Sequence, residues 1–140
     1  MLGNPPKGRI LCTEDDEDTR DLLSLTLSHF GYAVVVTGST DEAIDLAKHQ
    51  HFDLYLVDNW MPELSGVQLT KKLRKFDIKT PVLFYSGAGF DSDKEDAFRS
   101  GAQGYFVKPV TTRSLIDEVT RIIAESKIAV PVAIAAVDAE

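Results

Sequence analysis

The sequence of 140 residues contains a single cysteine, Cys12. No internal disulfide is therefore possible, which excludes the class of small secreted domains that depend on several disulfides. Cys12 lies inside the short run Ile10–Thr13, and we interpret it as a small buried hydrophobic residue. Nothing in the cysteine content requires an oxidising compartment.

Basic residues are also scarce, because 15 lysines and arginines stand against 22 aspartates and glutamates. The formal net charge is −7 and the isoelectric point is about 4.9. Nonspecific binding to nucleic acid needs lysine and arginine to neutralise phosphates. The composition therefore argues against direct nucleic-acid binding, and it leaves open an output that acts through another protein.

Long hydrophobic runs are missing as well. No segment reaches the roughly 20 apolar residues that cross a bilayer, and the uncharged run Ile128–Val137 has only ten residues. Met1–Gly8 is rich in glycine and proline and has no apolar centre of the kind found in signal peptides. We therefore expect a cytoplasmic protein with no membrane contact. Its length suits one domain with one core.

Short apolar runs alternate along the chain with amphipathic segments. Most of the runs are continuously apolar, as parallel strands buried on both faces are. Strict alternation of five strands and five helices indicates an α/β fold with one doubly wound parallel sheet. The predicted strands are Ile10–Thr13, Ala33–Thr37, Asp53–Val57, Val82–Tyr85 and Gly104–Val107, and the predicted helices begin near Asp16, Ser39, Ser65, Ser92 and Thr111 or Thr112.

The C-terminal segment has a different composition from the rest of the chain. Pro131 is expected to prevent any extension of the fifth helix into this segment. We therefore divide the chain into an N-terminal extension (1–7), a domain (8–126) and a C-terminal tail (127–140). For the tail we favour a solvated linker over a segment that docks on a partner.

Polar side chains follow four of the five predicted strands at their carboxyl ends. Parallel strands bring these ends to one edge of the sheet, where open α/β sheets bind ligands. Carboxylates follow strands one and three, a hydroxyl follows strand four and an ammonium group follows strand five. These residues are Glu14 and Asp15, Asp58, Ser86 and Lys108.

This set of side chains indicates phosphate chemistry. Clustered carboxylates repel each other unless a cation neutralises them, and Mg²⁺ is commonly bound by one or two carboxylates together with a substrate phosphate. A carboxylate such as Asp58 can attack phosphorus to give an acyl phosphate. Lys108 and the Ser86 hydroxyl can hold phosphoryl oxygens as charge builds on them.

Four separated motifs contain these residues and occur in a fixed order. They are Ile10–Asp16; Asp53–Asp58 with Met61-Pro62 and Ser65-Gly66; Pro81–Gly87; and Gly101–Pro109. With their spacing, they resemble the receiver domain of two-component response regulators, including chemotaxis regulators, over about residues 7–126. The resemblance implies a flavodoxin-like (βα)5 fold with strand order 2-1-3-4-5.

The resemblance also implies a role for each acidic residue. Asp58 corresponds to the phosphoacceptor. Glu14, Asp15, Asp58 and the backbone carbonyl of Trp60 correspond to the ligands of a Mg²⁺ cofactor. The implied phosphoryl donor is a histidine kinase or a phosphotransfer protein, and the implied receiver of the signal is an output protein or domain that the sequence does not identify.

The remaining implied roles concern the switch that follows phosphorylation. Ser86 corresponds to the hydroxyl that turns toward the phosphoryl group, in place of the commoner threonine. Tyr105 corresponds to the aromatic residue that rotates inward behind it. Lys108 corresponds to the phosphate-binding lysine, and the resemblance implies a cis peptide between Lys108 and Pro109.

Other polar residues have simpler interpretations. Acids in the first turn of a helix complement its dipole, which is our interpretation of Asp16, Glu17 and Asp18. The three histidines do not follow strands at the predicted edge and are left out of the site; they are His29, His49 and His51.

Two other functions are alternatives to a phosphorylation switch. A receiver-like scaffold that binds partners independently of phosphate would not need the complete set of acids, hydroxyl and lysine. A Mg²⁺-dependent phosphatase with an aspartate nucleophile resembles a different layout, in which nucleophile and acid lie two residues apart after the first strand. Here the acids are adjacent and Asp58 follows the third strand. The sequence leaves open whether the chain acts alone or is part of a longer regulator.

Overall fold

The computed structural model describes residues 4–138, and the side chains of residues 4–128. Five strands and five helices alternate along the chain. They are β1 (Arg9–Thr13), α1 (Glu17–His29), β2 (Ala33–Thr37), α2 (Thr40–His49), β3 (Leu54–Val57), α3 (Gly66–Arg74), β4 (Val82–Ser86), α4 (Asp91–Ser100), β5 (Gly104–Val107) and α5 (Thr112–Asp138). The strands form one parallel sheet in the order β2-β1-β3-β4-β5. The predicted fold class and strand order are confirmed.

Two apolar layers enclose the sheet. One face packs against α1 and α5, where Leu27 and Val119 are fully buried. The opposite face packs against α2, α3 and α4, where Ala43, Leu69 and Ala97 are fully buried. The central strands are therefore covered on both sides, which explains why their sequences are continuously apolar.

Local hydrogen bonds cap the predicted helix starts, as α1 and α3 illustrate. The Asp16 carboxylate accepts the Thr19 N–H at 2.9 Å and so caps α1. At α3, the Ser65 hydroxyl accepts the Gln68 N–H at 3.1 Å, and the Gln68 side chain accepts the Ser65 N–H at 2.9 Å. These bonds satisfy N–H groups that have no partner within the helix. The capping bond also makes Asp16 the last residue of the acidic loop that follows β1.

The start of α4 lies within one residue of the prediction near Ser92. This helix begins at Asp91, and the Asp93 carboxylate accepts the Phe90 N–H at 3.0 Å. The Asp93 carboxylate thus satisfies the N–H of the residue that precedes the helix, as the third-position acid of a capping box does. It also complements the helix dipole.

The prediction that Pro131 ends α5 was wrong, because the helix continues through Pro131 to Asp138. Proline removes one backbone N–H and the bond that it would make within the helix. The surrounding run is rich in alanine, the strongest helix former, and helices that contain an internal proline do occur. The division of the chain at residue 127 stays a prediction. Among the residues that the structure describes, no helix combines the length and the apolar character that crossing a bilayer requires.

Asp77 holds the loop between α3 and β4 at the edge of the sheet where β4 begins. Its carboxylate accepts hydrogen bonds from the hydroxyls of Tyr55 at 2.6 Å and Thr80 at 2.7 Å. Burial raises the pKa of Asp77, but these bonds and those from backbone N–H groups outweigh it, so the pKa lies below the ordinary value of 3.8. Tyr55 is 1% exposed, and its hydroxyl relies on the Asp77 carboxylate as its hydrogen-bond acceptor.

We expect Asp77→Ala to lower the free energy of unfolding by about 3 kcal/mol at neutral pH, because the buried Tyr55 hydroxyl loses its partner. The pKa of Asp77 is lower in the folded state, so the stabilisation is complete above about pH 4 and is lost as the pH falls further. Urea unfolding at neutral and acidic pH measures both effects. The exposed Asp96→Ala serves as a control, with a change below about 0.5 kcal/mol. A wild-type value for Asp77→Ala at neutral pH would contradict this assignment.

Candidate functional site

The predicted site residues lie at the carboxyl ends of four strands. Glu14 and Asp15 follow β1, Asp58 follows β3, and Lys108 follows β5. Ser86 is the last residue of β4, which is one residue longer than predicted. Because the strands are parallel, these ends share one edge of the sheet, and the structure brings the five residues to that edge.

Three carboxylates form a cluster at this edge. One oxygen from each of Glu14, Asp15 and Asp58 lies within 4.8 Å of the others. Glu14 is 2% exposed and Asp58 is 6% exposed, whereas Asp15 is exposed to solvent. Buried carboxylates at this separation are costly unless a cation neutralises them. Oxygen ligands of this kind are the ones that Mg²⁺ prefers, so these residues fit the ion that the sequence predicts.

Lys108 supplies one positive charge to the cluster. Its ammonium group donates a hydrogen bond to Glu14 at 2.6 Å and lies 3.8 Å from Oδ2 of Asp58. Burial lowers the pKa of Lys108, but the bond to Glu14 and the charge of Asp58 outweigh it and hold the pKa above its ordinary value. Burial raises the pKa of Glu14 to about 7, although the bond from Lys108 opposes this shift. One fixed cation therefore faces three carboxyl groups, and the cluster stays net negative.

The backbone around Asp58 is fixed by α3 and by its own loop. The Gly66 N–H donates to the carbonyl oxygen of Asn59 at 3.0 Å. A Cβ at Gly66 would lie 2.7 Å from the carbonyl oxygen of Asp58, so only glycine allows the helix to approach so closely. The backbone N–H of Trp60 donates to Oδ1 of Asp58 at 3.3 Å. One carboxylate oxygen thus contacts the loop, and the other faces Lys108.

Ser86 and Tyr105 both bond to the backbone of Ala88. The buried Ser86 hydroxyl accepts the Ala88 N–H at 3.2 Å, and the Tyr105 hydroxyl donates to the Ala88 carbonyl oxygen. The Tyr105 ring stacks on Phe84, with 5.3 Å between ring centroids. Burial raises the pKa of Tyr105, while the nearby Ser86 and Asn59 side chains lower it. A movement of either hydroxyl would therefore be transmitted to the loop between β4 and α4.

Two further predictions concern loops beside the cluster. Trp60 is 62% exposed, and a Cβ at Gly87 would lie 3.1 Å from its ring. The indole therefore lies over the loop that follows Ser86.

The peptide between Lys108 and Pro109 is cis, as the resemblance implied. The role of the Trp60 carbonyl as a ligand stays a prediction.

Sequence reasoning missed Arg20 on α1. Its Nη1 donates to the carbonyl oxygens of Glu14 at 2.9 Å and Asp15 at 3.1 Å. The sequence did contain a signal, because a cation in the first turns of a helix is opposed by the helix dipole. Such a residue needs another reason to be there, and here the reason is contact with the acidic loop.

A family model and the geometry point to the same conclusion. The model of the response regulator receiver domain matches residues 10–120, which is most of the chain. The chain belongs to this family. The receiver domain is 33% identical over 119 residues to the cell cycle transcriptional regulator CtrA of Caulobacter vibrioides, and the match covers 85% of this chain and 52% of CtrA. The chain thus spans about half the length of that relative.

Solved structures of receiver domains share the fold. A CheY-like response regulator receiver domain protein from Methanospirillum hungatei superposes with a TM-score of 0.84 at 24% identity, over 90% of this chain and 99% of that one. The receiver domain of sensor histidine kinase PA1611 from Pseudomonas aeruginosa superposes with a TM-score of 0.78 at 24% identity, over 84% and 98% of the two chains. That structure has a magnesium ion coordinated in its active site cleft.

Proposed function

We propose that this receiver domain is a phosphorylation-activated switch whose phosphoacceptor is Asp58. The observation that carries the proposal is the position of Asp58, whose Oδ2 lies 3.8 Å from the Lys108 ammonium and within the cluster formed with Glu14 and Asp15. A carboxylate can act as the nucleophile toward phosphorus. An ammonium group fixed beside it stabilises the charge that develops on the phosphoryl oxygens.

We propose that Glu14, Asp15, Asp58 and the backbone carbonyl of Trp60 hold Mg²⁺. When bound, the ion neutralises the carboxylates and the phosphoryl oxygens that approach them. The cluster of oxygens within 4.8 Å supports this assignment. The magnesium ion in the cleft of the PA1611 receiver domain supports it as well.

The proposed reaction transfers a phosphoryl group from a phosphohistidine of a histidine kinase or phosphotransfer protein. A bond forms between a carboxylate oxygen of Asp58 and phosphorus while the bond from phosphorus to the imidazole nitrogen breaks, with the two groups in line. Lys108 holds a phosphoryl oxygen. The Ser86 hydroxyl, which now accepts the Ala88 N–H, turns to the phosphoryl group.

The switch step follows from the bonds to Ala88. The Ser86 hydroxyl accepts the Ala88 N–H, and the Tyr105 hydroxyl donates to the carbonyl oxygen of the same residue. When the Ser86 hydroxyl leaves the Ala88 N–H, the loop that contains Ala88 shifts. Phosphorylation thus favours one of two arrangements of the loop and of Tyr105. We propose that the surface of α4, β5 and α5 carries this change to an output protein or domain, that residues 127–140 act as a linker, and that the protein works in the cytoplasm.

Acetyl phosphate with Mg²⁺ tests the proposal against its rivals. A switch acquires about one phosphoryl group per chain, in an alkali-labile form, because Asp58 is phosphorylated once and its acyl phosphate is lost more slowly than it forms. A phosphatase releases many equivalents of phosphate without accumulating a label. A scaffold independent of phosphate acquires no label, and that outcome would overturn the proposal.

We expect Trp60→Ala to speed the loss of phosphate from the phosphorylated protein by about fivefold, equivalent to about 1 kcal/mol of activation free energy. The reason is that the indole lies over the loop beside Ser86 and hinders water from reaching the acyl phosphate. Release of phosphate from purified labelled protein measures the rate. Trp60→Phe keeps an aromatic ring, so its rate of phosphate loss should lie between the rates of the wild-type protein and Trp60→Ala. An unchanged rate for Trp60→Ala would reject the shielding role.

We also expect the fluorescence of Trp60, the only tryptophan in the chain, to change when Mg²⁺ or beryllofluoride binds. Its backbone N–H donates to Asp58 at 3.3 Å, and its indole is largely exposed, so a charge placed beside Asp58 alters its surroundings. A titration followed by emission measures the change. No change in emission, with binding shown by calorimetry, would contradict the placement of this residue.

A further inference from the structure

Arg20 occupies an unfavourable place in α1. The helix begins at Glu17, so Arg20 is its fourth residue and lies near the end that favours anions over cations. The guanidinium does not extend into solvent from this position. It turns back toward the loop that precedes the helix, and the side chain is half-buried.

The guanidinium fixes the backbone on both sides of Asp15. Its Nη1 donates to the carbonyl oxygen of Glu14 at 2.9 Å and to that of Asp15 at 3.1 Å. These two oxygens belong to the two peptide units that flank the Cα of Asp15. Because both peptide planes are held, the direction in which the Asp15 side chain leaves the backbone is held as well. The Asp15 carboxylate itself is exposed.

Gly38, in the loop between β2 and α2, makes room for the guanidinium. A Cβ at this position would overlap Nη1 of Arg20 and lie 3.2 Å from its Cζ. The backbone of Gly38 is outside the left-handed region, so its conformation does not itself demand glycine. The Glu14 N–H donates to the carbonyl oxygen of Thr37 at 3.0 Å. This bond joins the two loops beside the guanidinium.

We propose that Arg20 is a positioning residue, which holds Asp15 in the orientation that binds Mg²⁺, and that Gly38 provides the space that this requires. The inference rests on the proposed Mg²⁺ site. Partners that orient metal ligands affect metal affinity by about tenfold or more. Arg20 would therefore strengthen the binding of a cation although it carries a positive charge itself.

The sign of the effect separates positioning from electrostatics. If Arg20 acted only through its charge, Arg20→Gln would remove a repulsion and tighten Mg²⁺ binding. Loss of positioning predicts the opposite, a dissociation constant for Mg²⁺ that rises about tenfold. Arg20→Lys keeps the charge, but a lysine ammonium lacks the planar guanidinium fork. Its dissociation constant should lie between those of wild type and Arg20→Gln.

Gly38→Ala tests the same contact from the other side. The added methyl group displaces the guanidinium while the charge stays in the chain, so we expect a similar loss of affinity. The double variant Arg20→Gln with Gly38→Ala should bind Mg²⁺ no more weakly than either single variant, because both changes remove one interaction. Arg99→Gln is the matched control. Among the residues whose side chains are described, its guanidinium pairs with the exposed Glu95 and Asp96, and we expect wild-type affinity.

Calorimetric titration with MgCl₂ measures the affinities, and amide hydrogen exchange without metal gives an independent result. In the metal-free variants the amides of Glu14 and Asp16, which donate to Thr37 and to the Glu14 carboxylate in the wild-type protein, should exchange faster, with thermal unfolding confirming that each variant is folded. Unchanged or tighter Mg²⁺ binding by Arg20→Gln and Gly38→Ala would overturn the role of Arg20 and leave the proposed function intact. Failure of the wild-type protein to bind Mg²⁺ would overturn both.

Discussion

We expect protein that carries Asp58→Asn to take up almost no phosphoryl label from acetyl phosphate. The amide is almost the same size as the carboxylate and can still accept the Trp60 N–H, which reaches Oδ1 at 3.3 Å in the wild-type protein. It is not a nucleophile toward phosphorus, so the covalent step cannot begin. We expect the initial rate of labelling to fall by at least about 100-fold, or about 3 kcal/mol of activation free energy.

The matched control for this substitution is Asp18→Asn. Asp18 belongs to the same acidic run as Glu14 and Asp15 but is exposed in the first turn of α1, so its variant should label at the wild-type rate. Mass spectrometry of the intact proteins measures the phosphoryl group directly. A label of wild-type size on Asp58→Asn would show that another residue is the acceptor.

Removal of Mg²⁺ has the second largest expected effect. Without the ion, an anionic phosphoryl donor must approach three carboxyl groups, whose charge Lys108 offsets only in part. Two unit charges 4 Å apart repel by about 4 kcal/mol at an effective dielectric constant of about 20. The exposure of Asp15 screens part of this repulsion. We therefore expect chelation to slow labelling by about 100-fold.

The experiment compares labelling in excess chelator with labelling after Mg²⁺ is restored. Recovery on adding Mg²⁺ shows that the chelator has not damaged the protein. Glu14 and Asp15 are proposed Mg²⁺ ligands together with Asp58. Asp15→Asn should therefore weaken the dependence of the labelling rate on Mg²⁺, while Asp18→Asn should leave it unchanged. Equal rates with and without the ion would remove Mg²⁺ from the proposed mechanism.

The sequence predicted the fold because its local signals agree with each other. Continuous apolar runs such as Leu54–Val57 are what a strand covered on both faces requires, and capping residues such as Ser65 satisfy the first N–H groups of the next helix. The candidate site followed from the same pattern. The carboxyl ends of parallel strands share one edge, so Glu14, Asp58 and Lys108 had to lie near one another once the strands were placed.

The features that the sequence did not reveal depend on contacts between elements. Arg20 is one of several charged residues at the start of α1. Its position in the sequence does not show that its guanidinium donates hydrogen bonds to the backbone of the Glu14–Asp15 loop. The shared bonds of Ser86 and Tyr105 to Ala88 likewise depend on how a loop folds. The continuation of α5 past Pro131 reflects a balance between one lost hydrogen bond and the helix preference of its neighbours.

The most direct test of the central claim is a crystal structure of the protein with Mg²⁺ and beryllofluoride, a mimic of the phosphoryl group. We predict that the metal lies on the carboxylates of Asp15 and Asp58, and that beryllofluoride is bound to Asp58 within reach of Lys108 and the Ser86 hydroxyl. A metal bound away from Asp15, or beryllofluoride absent from Asp58, would contradict it.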